Sequence, residues 1–144
     1  MTSMTTLNEL IQQLATTLNK QTDELLTTEL GISYSQFRVL KALEWNPRAQ
    51  QKTIALHLSQ TEASISRQVK LLVENELIAV HQDPMNRRVH SIAVTPHGMQ
   101  QTEAATAIIR RAYEAAYKGI GSARLQILTQ DLQALQKSLV LSIN

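Results

Sequence analysis

Two stretches of the 144-residue chain hold side chains suited to gripping a polyanion. In the first, residues 61–74, Ile65, Val69, Leu72 and Val73 fall at helical spacing and leave Thr61, Glu62, Ala63, Ser64, Ser66, Arg67 and Lys70 on the other face. Small residues at its start let the backbone approach base edges. Serine hydroxyls bond bases or phosphates, and arginine pairs bidentately with guanine O6 and N7. The free N–H groups at a helix start add attraction for phosphate. In the second stretch, Asp83-Pro84-Met85-Asn86-Arg87-Arg88, two arginines follow a proline turn. An arginine on such a loop can lie in a narrow minor groove. Asp83 and Asn86 are suited to fixing the loop by bonding its own backbone or an arginine.

The surrounding elements are those needed to present both stretches. Residues 50–58 form a short helix with Ile54, Ala55 and Leu58 on one face, and Ser59 or Thr61 caps the next. Two short helices joined by a tight turn make a helix-turn-helix, whose second helix enters the major groove. Upstream, Ser33-Tyr34-Ser35-Gln36 fits a capping box and opens a helix with Phe37, Leu40 and Leu43 inward, closed by Asn46-Pro47. Downstream the period changes: Ile78 and Val80 alternate, as do Ile92 and Val94, so a hairpin carries the arginine loop. Thr95 as N-cap and Pro96 at the first helical position restart helix to about Lys118. Gly119 and Gly121 break it, and Ser122 caps the last one. At the chain's two ends lie long apolar stripes. Leu7, Leu10, Ile11, Leu14 and Leu18 line the first helix, which Leu25 and Leu26 continue and Gly31 stops. Leu125, Leu128, Leu132, Leu135 and Leu139 make a strict heptad seam on the last. That seam is wet in a monomer unless it folds back on the first helix, and such a surface usually seeks a partner subunit.

Composition narrows the function classes. Apolar residues make up 43% and charged residues 18%, enough for a core in one domain-sized chain. Few glycines, prolines and aromatics favour helix. With no cysteine, disulfides, thiolate metal sites and thiol redox sensing are excluded. No apolar run approaches the roughly 18 residues of a membrane span, and no signal-peptide pattern opens the chain, so a soluble cytoplasmic protein is expected. Residues 38–97 hold eight bases against five acids, whereas 1–37 hold one against four. A basic middle suits a nucleic-acid surface, although an ordinary solvated face also accounts for it. His57, His81, His90 and His97 lack the spacing of a metal site, so no metal and no cofactor are expected. The G-x-S-x-G, P-loop, GxGxxG and HExxH motifs are all absent, and the chain reads as a non-enzyme.

The ordered set Ser33-Tyr34-Ser35-Gln36-Phe37-Arg38-Val39-Leu40, Gln50-Gln51-Lys52-Thr53-Ile54-Ala55, Ser64-Ile65-Ser66-Arg67 with Leu72 and Leu77-Ile78, Asp83 to Arg88, and Val94-Thr95-Pro96-His97-Gly98 resembles the MarR family of transcriptional regulators. With the matching helix order outside it, the resemblance covers essentially the whole chain. It implies a mainly α fold with a small β-hairpin: a winged helix-turn-helix DNA-binding domain at about 33–95, flanked by long helices at 1–30 and 96–144 that form a dimerisation platform. It implies a homodimer on double-stranded DNA carrying an inverted repeat, most often as a ligand-responsive repressor. By position, Thr61, Ala63, Ser64, Ser66, Arg67 and Lys70 belong to the recognition helix, with Ser64, Ser66, Arg67 and Lys70 most exposed to DNA. Arg87 and Arg88 belong to the wing, and Gln50 contacts phosphate.

There are departures. The family usually has an acid where Asn86 stands and a glycine where Glu76 stands. Glu62 is acidic where the family is often basic or neutral; it either reads a cytosine amino group or weakens affinity. The resemblance implies a small-molecule effector, whose identity nothing in the residues selects. Tyr34, Trp45, Tyr113 and Tyr117 are expected to serve as core or interface packing rather than as its site. The rival reading is a winged-helix protein-interaction module without DNA binding.

Overall fold

The computed structural model describes residues 3–88 and 90–142. The element order is α1 (Met4–Leu30), α2 (Tyr34–Trp45), α3 (Gln51–Leu58), α4 (Glu62–Glu74), β1 (Ile78–Gln82), β2 (His90–Val94), α5 (Pro96–Ile120) and α6 (Ser122–Ser142). By contacts the chain divides into two compact units, residues 1–108 and 109–144.

In the first unit, α1 starts at Ser3, whose hydroxyl caps the Thr6 amide, and stops at Gly31, whose φ of 70° is the left-handed turn-off glycine tolerates. Only Thr22 and Leu26 of α1 are buried. The capping box on α2 forms as expected: Ser33 Oγ accepts the Gln36 amide at 3.0 Å, and Gln36 Oε1 accepts the Ser33 amide at 2.8 Å. Asp23 of α1 adds a third anchor by accepting the Tyr34 amide at 2.8 Å. The core comprises Leu26, Val39, Leu40, Leu43, Ile54, Ile65, Leu72, Leu77 and Ile92, each at most 2% exposed.

The strands pair antiparallel, Ile78 opposite Val94 and Val80 opposite Ile92. The loop after α2 lies along the other edge of β2, where the Ile92 amide donates to the Ala49 carbonyl at 3.3 Å. Arg48 takes φ 64° to reach it.

The start of α5 is tied to the end of α4. Thr95 Oγ1 accepts the Gly98 amide at 3.0 Å and donates to the Glu76 carbonyl at 2.7 Å, while the Thr95 amide bonds the Leu77 carbonyl at 3.0 Å. Gly98 sits so close that an added Cβ would lie 2.0 Å from the Leu77 carbonyl oxygen. Glu76 itself has φ 58°, a left-handed backbone that glycine adopts without strain.

In the second unit, two local expectations change. Gly119 remains inside α5; Gly121, at φ 90°, makes the break alone. Ser122 is the first residue of α6 rather than its cap, because the Gly121 carbonyl accepts the Leu125 amide at 3.0 Å. No residue of α6 is buried within the chain.

Candidate nucleic-acid interface

The outward side of α4 consists of two adjacent rows. Glu62, Ser66 and Lys70 recur at every fourth residue, and Ala63 and Arg67 lie beside them. All five are exposed, while Ile65, Val69 and Leu72 face the core. Thr61 Oγ1 accepts the Ser64 amide at 3.1 Å, so the expected N-cap is Thr61; Ser59 instead ends α3 in the left-handed region. Ser64 differs from expectation. It is half-buried, and its hydroxyl donates to Gln60 Oε1 at 3.2 Å. The sequence pattern does not single out Gln60, although it stands four residues before Ser64.

Gln50 serves as the N-cap residue of α3 through its extended backbone, and its exposed side chain makes no cap hydrogen bond. Arg38 reaches from α2 to the Leu58 carbonyl at 3.5 Å, which supports the end of α3.

The wing is laced by its own polar groups. Asp83 Oδ1 accepts the Met85 amide at 2.8 Å and the Asp83 carbonyl accepts the Asn86 amide at 3.2 Å. Asn86 Oδ1 accepts the Arg88 amide at 3.1 Å, and Gln82 Nε2 donates to the Arg87 carbonyl at 2.7 Å. These bonds run to backbone and not to guanidinium groups, and those of Asp83 and Asn86 are of the Asx type. Arg87 and Arg88 are exposed. The ion pairs among the described residues are Lys41–Glu44 and Lys118–Glu114, so Arg67, Lys70, Arg87 and Arg88 are all outside them. β1 packs on α4, which puts the wing and the helix face in neighbouring elements.

A concavity of about 430 Å³ opens between α1 and α2, lined by Asn19, Lys20, Asp23, Tyr34, Ser35, Arg38 and Gln60. Among the described residues, no group of three or more His, Asp or Glu is placed to hold a metal ion, and no helix is long and apolar enough to cross a membrane. Trp45, expected to pack in the core or at an interface, is 80% exposed and is not part of the core. Tyr34 stacks on Phe37 at 6.2 Å between ring centroids, and Tyr113 meets Tyr117 edge-on at 6.4 Å.

The apolar stripes are open in each unit. On α1, Leu7, Leu10 and Leu14 are exposed and Ile11 is half-buried; on α6, Leu128, Leu132 and Leu139 are exposed, and Leu125 and Leu135 are half-buried.

Residues 32–90 match the model of the MarR family. The HTH-type transcriptional repressor IacR of Pseudomonas putida is 24% identical over 115 residues, 80% of this chain and 69% of that protein. A MarR/EmrR family transcriptional regulator from Acinetobacter sp. ADP1 superposes with a TM-score of 0.82 at 23% identity, over 92% of this chain and 93% of the other. A cysteine-to-serine mutant of MarR from E. coli, complexed with operator DNA, superposes at 0.78 with 18% identity, over 90% of this chain and 92% of the other. The helix-turn-helix, the laced basic wing and the comparisons agree: residues 32–90 match the MarR family model, and the chain has the fold of MarR-family structures.

Proposed function

We propose that the chain is a homodimeric transcriptional regulator, most simply a repressor, that binds double-stranded DNA bearing an inverted repeat. The observation that carries this reading is an exposed helix face bearing Arg67 and Lys70 beside a preshaped wing bearing Arg87 and Arg88, four bases with no ion-pair partner among the described residues. Ala63, Ser66, Arg67 and Lys70 serve the major groove, and Thr61 and Ser64 support the helix start. Arg87 and Arg88 serve the minor groove, and Gln50 serves a phosphate. Residues 33–95 are the DNA-contacting part. The helices in 1–30 and 96–144 pair with those of a second copy, through Leu7, Leu10, Ile11 and Leu14 and through the Leu125–Leu139 seam. The protein works in the cytoplasm without catalysing a reaction or needing a cofactor. A small molecule that favours one spacing of the two recognition helices releases the DNA, since only unequal binding to two states shifts their balance.

The test is selection from random duplex DNA with purified protein at two salt concentrations. An enriched inverted repeat with half-site centres about 34 Å apart, lost steeply as salt rises, supports the reading. Weak, salt-independent retention without enrichment overturns it in favour of a protein-interaction module.

A further inference from the structure

The first turn of α4 has very few side chains left to address a base. Thr61 Oγ1 is committed to the Ser64 amide, and the Ser64 hydroxyl to Gln60. Ala63 has no hydrogen-bonding group. Glu62 is the exception: it is exposed and in neither of the ion pairs among the described residues. Its own helix cannot neutralise it, because the positions three and four residues on are Ile65 and Ser66. A carboxylate at a helix start is stabilised by the helix dipole, which explains its tolerance in the free protein. That same start is the part of a recognition helix that meets base edges. There the carboxylate approaches a phosphate-lined groove, and the repulsion is offset only if a donor meets it.

An ionised carboxylate accepts hydrogen bonds and donates none. In the major groove the base donors are cytosine N4 and adenine N6. Adenine carries the N7 acceptor beside its amino group, which repels a carboxylate, whereas cytosine presents the amino donor alone. Resting on the DNA-binding reading above, we propose that Glu62 is a specificity-determining residue: it accepts from cytosine N4 and fixes one cytosine in each half-site. The charge is then a discriminator. It penalises every base that offers an acceptor at that place, and total affinity is lower than a neutral residue would allow.

The same chemistry gives different outcomes for two substitutions. Glu62→Gln supplies a donor as well as an acceptor, the pattern that pairs with adenine N6 and N7. Glu62→Ala supplies neither. The experiment is parallel selection from random duplex DNA with full-length wild type, Glu62→Gln and Glu62→Ala, at one salt concentration. Circular dichroism melts of all three check that each is folded. Expected are a cytosine at one symmetric position of the wild-type repeat, adenine there with Glu62→Gln, and no preference there with Glu62→Ala. Discrimination at that position should fall about tenfold, as for one good base contact. Identical base preferences for all three, with the variants merely binding more tightly, overturn the proposal and leave Glu62 as a helix-start charge. If the wild type enriches no duplex, the proposal falls together with the DNA-binding reading; the two failures are therefore told apart by the wild-type arm.

Discussion

Two side chains set against their backbone show what single residues contribute. Arg88 carries an exposed guanidinium on a loop whose shape is held by bonds to Asp83 and Asn86, so its side chain is free while its amide is fixed. Arg88→Ala should weaken duplex binding by roughly 1–3 kcal/mol and leave the dimer intact; fluorescence anisotropy with a selected duplex, beside light scattering, measures both. Unchanged affinity would remove the wing from the mechanism. Glu76 holds φ 58° without being glycine. A left-handed backbone strains an L-residue where glycine is unstrained, so Glu76→Gly should raise stability by about 1 kcal/mol. The melting temperature should rise by roughly 2–4 °C, and a fall would mean that the Glu76 side chain contributes more than its strain costs.

Within elements, the junction of α4, the hairpin and α5 is held by a hydroxyl and by the lack of a methyl group. Thr95→Ala removes the cap on the Gly98 amide and the bond to the Glu76 carbonyl. The expected loss is about 1–2 kcal/mol in urea unfolding, since a cap alone is worth about half of that. Gly98→Ala places a methyl 2.0 Å from the Leu77 carbonyl oxygen, a clash that backbone must relieve. It should cost about 3 kcal/mol or more, and a folded variant with unchanged melting would show that the junction yields easily. Much of this scale was legible in the residues themselves. The Ser33–Gln36 capping box, the alternation of Ile78 with Val80, and the pairing of Thr95 with Pro96 each state a local preference, and each formed. Legibility ended where one residue's role depends on a distant one. Nothing local says that Asp23 caps a helix eleven residues on, or that Ala49 lines the edge of β2. Gly119 misled for a related reason: helical hydrogen bonds around it outweigh its modest intrinsic cost. On the candidate site, the exposed members of α4 and the wing followed from helical period and turn chemistry, while the burial of Ser64 did not.

For the whole molecule, the question is what covers the apolar stripes. α6 has no buried residue, yet Leu125, Leu128, Leu132, Leu135 and Leu139 repeat in steps of three and four along it. An exposed stripe of that length is unfavourable in water by roughly 25 cal/mol for each Å² of apolar surface. Leu132→Asp with Leu135→Asp should therefore dissociate or unfold the proposed dimer, because the charges would be buried without partners. A well-folded dimer of this double variant, by light scattering and circular dichroism, would sink the seam assignment. The close approach of Gly98 to the Leu77 carbonyl has a mechanical side. With no methyl between them and Thr95 bonded to both Glu76 and Leu77, the first turn of α5 and the end of α4 have almost no slack. Tilting the start of α5 must then carry the end of α4 with it as one stiff lever. A displacement smaller than a bond length at that pivot would grow along the length of α4 before it reached Glu62 at the far end.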